Sequence, residues 1–182
     1  NESANSPSLS ISVDTTPPAA PPAAPSLSPA AINASGSSTI TWPTVSFIWR
    51  YRLERSSNGG AFAEIATPAT ATYTQTATGL PGGAYTYRVR AEDVAGNLGS
   101  FSATSASLTV ITLNAITPAM AGTGDTITLE GVFGATATVN FPGGATATAT
   151  MQGSGSVRYR ATAVVPASAT AGDLNVTTAG AS

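Results

Sequence analysis

A period-two alternation of apolar and polar residues runs from Thr39 to Val110 and constrains the possible fold more than any other feature. Its longest repeat places an apolar residue at every second position, at Tyr85, Tyr87, Val89 and Ala91. Successive side chains of a strand point to opposite faces, so this pattern predicts strands that bury one face. No helical period of useful length occurs in the chain, and the sequence therefore predicts an all-β protein.

Turn residues divide this stretch into about seven short strands, the number expected of a β-sandwich. Asn58-Gly59-Gly60 supplies the positive φ angles of a hairpin turn, and Ala95-Gly96-Asn97 marks another turn. Ile40 and Trp42 lie on one face of an early strand, and we expect Trp42 in the core.

The absence of histidine, cysteine and lysine limits the chemistry of the chain. It excludes Ser-His-Asp and Cys-His catalysis, Schiff bases, and imidazole or thiolate zinc sites, whereas hydrolysis by a carboxylate pair remains open. Charged residues make up 9% of the chain, the net charge is -2, and no basic run is present. We therefore expect no enzymatic activity, no cofactor, no nucleic-acid partner and no membrane insertion.

Residues 26–112 resemble a bacterial fibronectin type III domain. The resemblance rests on Trp42, on the strand Tyr51-Arg52-Leu53, on the run from Gly79 to Ala91, and on Asp93-Val94-Ala95-Gly96-Asn97. It implies that Tyr85 makes the tyrosine-corner hydrogen bond to the backbone upstream.

Residues 112–180 resemble an IPT/TIG domain, which is also an immunoglobulin-like fold. The resemblance rests on Ile116-Thr117-Pro118, on the strand Thr126-Ile127-Thr128-Leu129, on the turn Pro142-Gly143-Gly144, and on the region from Gly172 to Val176. The family usually adds a final strand after this last region, and no apolar strand follows it here.

These patterns predict two tandem immunoglobulin-like β-sandwiches behind a Pro-rich N-terminal linker. Residues 1–16 form an orphan strand, 17–30 a Pro/Ala-rich linker, 31–112 the fibronectin-like sandwich, and 113–182 an IPT/TIG-like sandwich that lacks its last strand. The orphan strand alternates apolar and polar residues and is either the end of a preceding module or a donor strand, with its apolar face at Leu9, Ile11 and Val13. The linker is either a semi-rigid extended spacer or disordered.

Strand alternation also places four arginines on one outer face, namely Arg50, Arg52, Arg88 and Arg90. The face is either a solvated set of ion pairs or a site for carboxylate or sulfate groups. The pair Phe47 and Trp49 is expected to pack at a strand end, with sugar stacking as the alternative. Calcium at domain junctions is a further possibility, through Asp14, Asp93 and Asp125, although turn capping is the expected role of these side chains.

The leading functional hypothesis is a non-catalytic structural or adhesive segment of a secreted or cell-surface bacterial multidomain protein, which spaces or presents a binding head. Its protein or glycan partner is not encoded in a recognisable motif. One alternative is a subunit of a head-to-tail filament that self-associates through N-terminal strand donation. Another is an accessory module of a secreted glycan-active enzyme or of a polymorphic toxin.

Overall fold

Fifteen strands form in the computed structural model, which describes residues 11–33, 35–153 and 158–177. The first eight are β1 (Ser26–Ser28), β2 (Ala31–Ile32), β3 (Ser37–Thr41), β4 (Arg50–Ser57), β5 (Ala63–Ala66), β6 (Thr72–Thr76), β7 (Gly83–Glu92) and β8 (Leu108–Val110). The others are β9 (Thr112–Thr117), β10 (Thr126–Phe133), β11 (Thr138–Asn140), β12 (Thr146–Thr148), β13 (Thr150–Gln152), β14 (Arg158–Val164) and β15 (Asn175–Thr177). The two groups build tandem immunoglobulin-like sandwiches, so the predicted fold class is confirmed.

The first sandwich packs a sheet of order β1-β3-β6 against a sheet of order β2-β8-β7-β4-β5. Neighbouring strands are antiparallel, except that β2 runs parallel to β8. The core contains the inward-facing positions of the alternating pattern, including Ile40, Trp42, Tyr51, Leu53, Tyr85, Tyr87, Val89 and Ala91. The period-two pattern therefore places the core side chains of β4 and β7 correctly.

The hairpin between β4 and β5 turns where the sequence places Asn58 and Gly59, which have φ angles of 51° and 76°. The Gly60 amide donates to the Ser57 carbonyl at 2.9 Å and closes the turn. The Asn58 side-chain oxygen in turn accepts the Ala84 amide at 2.9 Å, which ties the turn to the start of β7.

The second sandwich packs a sheet of order β13-β14-β10-β9 against a sheet of order β12-β11-β15. Its core is built mainly from β10, β11 and β14, and includes Ile127, Leu129, Phe133, Val139, Phe141, Ala161 and Ala163. In the described residues β15 pairs with β11 alone, so its other edge is open.

The junction between the sandwiches is one residue long, because β8 ends at Val110 and β9 begins at Thr112. The residue between them, Ile111, is buried and packs with the second core. Its amide donates to the Ile32 carbonyl at 2.8 Å. A Cβ atom at Gly82 would lie 2.6 Å from the Thr112 hydroxyl oxygen, so the backbone of the first sandwich at Gly82 lies close to side chains of the second.

The Pro-rich segment differs from the predicted linker, since it packs against the first sandwich. Pro21 and Pro25 are buried, and the Asn97 side-chain amide donates to the Asp14 carbonyl at 3.1 Å. Proline rings add apolar surface without an N–H group that burial would leave unpaired, which favours docking over extension into solvent. Within the predicted linker, Ser26–Ser28 pairs with Thr39–Thr41.

The predicted N-terminal strand is described only in part. Leu9 lies outside the described residues. Ile11 and Val13 are 86% and 73% exposed and belong to no strand in the described part of the chain.

Candidate functional site

The outer face of β4 and β7 gathers the four arginines that the alternation assigns to it. The antiparallel register places Arg50 opposite Glu92 and Arg52 opposite Arg90. All four arginine side chains are half-buried, and they lie among the carboxylates of Glu54, Glu64 and Glu92.

Glu92 is the centre of this face. One of its carboxylate oxygens accepts the Nε atoms of both Arg50 and Arg52 at 2.7 Å, and the other accepts one terminal nitrogen from each at 3.2 Å. The hydrogen bonds from Arg50 and then Arg52 lower the pKa of Glu92 to about 2. The hydrogen bond to Glu92 is the largest cause of the raised pKa of Arg52, and the hydrogen bond to Glu64 is the next largest.

Arg88 and Arg90 are held differently. Arg88 donates to Glu54 at 2.6 and 2.8 Å, and its guanidinium carbon lies 4.0 Å from the ring centre of Phe101. The Arg90 guanidinium carbon also lies over the Phe101 ring, 4.5 Å from its centre. The buried Nε of Arg90 has no hydrogen-bond partner among the described residues. Phe62 contributes a second ring beneath Arg88, at 4.3 Å.

The chemistry of this face follows from those contacts. Three of the four guanidinium groups already hold carboxylates in charge-assisted hydrogen bonds. An anionic ligand would have to displace those carboxylates, so the geometry favours an ion-pair network that fixes β4 against β7.

The two structural aromatics occupy the positions that their pattern indicates. Trp42 is buried and meets Tyr51 edge to face, with ring centres 5.3 Å apart. The Tyr85 hydroxyl donates to the Pro81 carbonyl at 2.6 Å, four residues upstream, which is the contact that the resemblance implies. Burial raises the pKa of Tyr85.

The expectation that Phe47 and Trp49 pack at a strand end is wrong. Phe47 is 97% exposed and Trp49 is 53% exposed. Phe47 has a φ angle of 57°, a left-handed conformation in which its side chain projects from the loop into solvent. The Trp49 ring is covered on one side by the Arg50 guanidinium at 4.0 Å.

The carboxylates considered for calcium serve as turn caps. One oxygen of Asp93 accepts the backbone amides of Ala95 and Asn97, both at 2.9 Å, and the other accepts the Asn97 side-chain amide at 2.9 Å. The Asn97 side chain is the largest cause of the lowered pKa of Asp93. Asp125 accepts the Gly122 amide at 2.7 Å. These hydrogen bonds give Asp93 and Asp125 the turn-capping role that the sequence favours for them.

Residues 11–33, 35–153 and 158–177 contain no cluster of three or more His, Cys, Asp or Glu side chains that would hold a metal ion. Within the same residues, no helix has the length and apolar character needed to cross a membrane.

A groove of about 820 Å³ lies in the second sandwich, between β9 and the loop that leads into β15. Its walls are largely apolar and include Leu113, Ile116, Ile127, Phe141, Val165 and Leu174. In the described residues, β15 follows directly after this loop and pairs with β11 alone.

Comparisons with known proteins were made at the level of sequence and of structure. No family model and no curated protein matches the chain. A Fn3-like protein from Clostridium thermocellum is 30% identical, with a TM-score of 0.37, over 52% of this chain and 98% of its own. A segment of two fibronectin type III domains from chicken tenascin is 16% identical, with a TM-score of 0.39, over 80% of this chain and 85% of its own.

A β-1,2-glucanase from Parabacteroides distasonis is 24% identical, with a TM-score of 0.42, over 54% of this chain. The match spans only 14% of that glucanase. The structural neighbours are thus fibronectin type III-like domains together with part of a larger enzyme. These likenesses concern the fold, and no activity or ligand of those proteins is transferred to this chain.

Sequence reasoning brought the four arginines together but missed two features. Phe101 lies in a loop without alternation, so no local pattern predicts that it stacks with Arg88 and Arg90. The groove beside β15 was also missed, because its walls come from parts of the chain that are distant in sequence.

Proposed function

We propose that this chain is a non-catalytic structural and adhesive segment of an extracellular bacterial multidomain protein. Two immunoglobulin-like modules, the first of fibronectin type III type and the second of IPT/TIG type, hold a binding head at a fixed spacing. The buried one-residue junction is the observation that carries this proposal. A spacer needs a stiff connection, and flexible linkers lack one.

Several contacts support a stiff junction. Ile111 is buried, and its backbone amide is tied to Ile32 in the first sandwich. The Val132 amide donates to the Thr112 hydroxyl at 3.2 Å, and the methyl group of Val132 lies close to Gly82. Ala31, from the first sandwich, packs with the second core. Bending at this point would expose these apolar groups and break the hydrogen bond between Ile111 and Ile32.

The proposal is tested by measuring the distance between the two sandwiches. The chain has no native cysteine, so Ser100→Cys and Ser168→Cys introduce two specific labelling sites at exposed positions. Single-molecule energy transfer between these labels is expected to give one narrow distance distribution. A Gly-Ser insertion after Ile111 is expected to broaden it, whereas the same insertion after the exposed Ala121 is not.

A wild-type distribution as broad as that of the Ile111 insertion would contradict the spacer role. Melting curves of both insertion variants serve as the control for folding. The extracellular placement is tested separately, by antibody labelling of intact cells that express the natural protein. Labelling only after the cells are permeabilised would refute that part of the proposal.

A further inference from the structure

The loop between β3 and β4 holds two large aromatic side chains in solvent. Phe47 is 97% exposed and Trp49 is 53% exposed, whereas the other aromatic side chains described in the first sandwich are buried or half-buried. Exposed aromatic surface adds little to the hydrophobic stabilisation of a fold. Two such rings in one short loop therefore indicate a surface that a ligand covers.

The backbone of this loop is fixed at both ends. The Val45 amide donates to the Tyr51 hydroxyl at 2.9 Å, and the Trp49 amide donates to the Glu92 carbonyl at 2.8 Å. Between these anchors Phe47 has a φ angle of 57°, a left-handed conformation that is unfavourable for a bulky side chain. The loop thus directs Phe47 outwards against its local preference, and a backbone that is already ordered loses little entropy when a ligand binds.

Trp49 is supported by an arginine that is itself fixed. The Arg50 guanidinium carbon lies 4.0 Å from the ring centre of Trp49, and the same guanidinium donates to Glu92 at 2.7 and 3.2 Å. The ion pair holds the arginine in place, and the arginine stacks on the indole ring. Trp49 nevertheless stays 53% exposed, which leaves ring surface on which a ligand can stack.

A cleft of about 610 Å³ lies beside Phe47, between this loop and the docked Pro-rich segment. Polar groups line both sides, with Asp14 and Thr16 on the segment and Thr44 and Ser46 on the loop. One oxygen of Asp14 accepts the Thr16 amide at 2.9 Å, and the carboxylate makes no other hydrogen bond to the described residues. The cleft thus combines an aromatic ring with hydroxyl groups and a carboxylate that accepts hydrogen bonds, at a volume typical of small-ligand sites.

These groups match the chemistry of a neutral sugar. One face of a pyranose ring carries C–H groups that stack on an aromatic ring, and its hydroxyl groups donate to carboxylate and hydroxyl oxygens. An anionic ligand is disfavoured, because Asp14 and Asp93 line the cleft and Arg50 is held by Glu92. An apolar peptide is disfavoured as well, since it would cover the Asp14 carboxylate without supplying a hydrogen-bond donor.

We propose that Phe47, Trp49 and the cleft beside Phe47 bind a neutral glycan. The Phe47 ring stacks on one sugar unit, whose hydroxyl groups donate to Asp14. Two residues of chain span at most about 7 Å, so Trp49 lies close enough to contact a neighbouring sugar of the same glycan. This inference rests on the adhesive part of the proposed function. The spacer part is independent of it, because a stiff junction holds its spacing without a bound sugar, and the distance measurement tests the spacer separately.

The test is affinity electrophoresis of the full-length protein in gels that each contain one neutral polysaccharide, namely laminarin, dextran, mannan or xyloglucan, with acidic alginate for comparison. The wild type is expected to be retarded by at least one neutral polysaccharide and not by alginate. Titration calorimetry with that polysaccharide then gives the affinity. Phe47→Ala and Trp49→Ala are each expected to weaken binding at least about tenfold. Tyr159→Ala removes an exposed aromatic side chain from the second sandwich and is expected to leave binding unchanged.

A Phe47→Gly variant separates binding from folding. Glycine adopts a positive φ angle without steric cost, so this variant relieves the loop backbone while it removes the ring. Its melting temperature is expected to stay at or above the wild-type value, whereas its affinity for the polysaccharide falls at least about tenfold. A purely structural role of Phe47 predicts the opposite, namely a lower melting temperature with unchanged affinity.

Three results would overturn the proposal. The first is a wild type that none of the neutral polysaccharides retards. The second is equal affinity of the wild type and of a protein that carries both Phe47→Ala and Trp49→Ala, which would place the site elsewhere. The third is retardation by alginate alone, which would show that the surface binds an anion.

Discussion

Replacing Glu92 with glutamine removes the charge on which two arginines converge. The Glu92 side chain is 6% exposed and accepts four hydrogen bonds from Arg50 and Arg52. The pKa of Glu92 is lowered from 4.5 to about 2, and each tenfold change in a protonation equilibrium corresponds to about 1.4 kcal/mol. If the whole pKa shift of Glu92 contributed to stability, it would raise the free energy of unfolding by about 3 kcal/mol. Solvent screening of the partly exposed arginines reduces this contribution to about 2 kcal/mol.

The pH dependence of this effect has a defined sign. Because the folded-state pKa of Glu92 lies below the unfolded-state value, its contribution to stability is fully present above about pH 4.5 and is lost as the pH falls towards 2. We therefore expect Glu92→Gln to lower the free energy of unfolding of the first sandwich by about 2 kcal/mol at neutral pH. The difference from the wild type should shrink steadily between pH 4.5 and 2.

The assay is urea unfolding followed by the fluorescence of Trp42 and Trp49, both of which lie in the first sandwich. Glu64→Gln is the matched control, because Glu64 pairs with Arg52 alone at 3.1 Å and its side chain is 38% exposed. Glu64→Gln should lower the free energy of unfolding by no more than about 0.5 kcal/mol. Equal costs for the two variants, or a Glu92→Gln cost that persists unchanged at pH 2, would refute the reasoning.

Three further predictions concern the tyrosine corner, a close backbone contact and calcium. Tyr85→Phe removes the half-buried hydrogen bond to Pro81 and is expected to lower the free energy of unfolding by about 1 kcal/mol, measured in urea. Gly131→Ala places a methyl group against the Thr112 carbonyl and is expected to cost about 1–3 kcal/mol, seen as a lower melting temperature of the second sandwich. Because N–H donors occupy the Asp93 carboxylate, adding calcium or excess chelator should leave both melting transitions unchanged.

Each of these predictions has a control and a contrary result. Tyr159→Phe alters an exposed tyrosine and should have no measurable effect, so an equal loss in both variants would refute the corner argument. A Cβ atom at Gly122 would lie 3.5 Å from its nearest neighbour, an ordinary contact distance, so Gly122→Ala should be tolerated. A Gly131→Ala variant that is also tolerated would contradict the steric argument. A melting temperature that rises with calcium would show that a cation displaces the turn-capping donors.

The alternation of residues by itself determined the fold class and most of the first core. Tyr85, Tyr87 and Val89 face inward because neighbours in a strand must point to opposite sides, a constraint that needs no knowledge of the rest of the chain. The same constraint placed Arg88 and Arg90 on the outer face. Local glycine and asparagine chemistry likewise identified the hairpin turn at Asn58 and Gly59.

Only the tertiary structure decided which of these groups meet. Glu92 lies between Arg50 and Arg52 because of the register between β4 and β7, residues about forty positions apart. Phe101 reaches Arg88 and Arg90 because its loop folds back over the sheet. Such contacts depend on long-range packing, which a pattern of neighbouring residues does not record.

The same division applies to the ends of the chain. The sequence showed an alternating apolar segment around Ile11 and a Pro-rich segment after it, but did not show which surfaces these segments contact. The packing of β9 against the loop before β15 created the apolar groove, and the burial of Pro21 and Pro25 docked the Pro-rich segment on the first sandwich. Both follow from burial between distant segments, a property of the folded chain rather than of any local stretch.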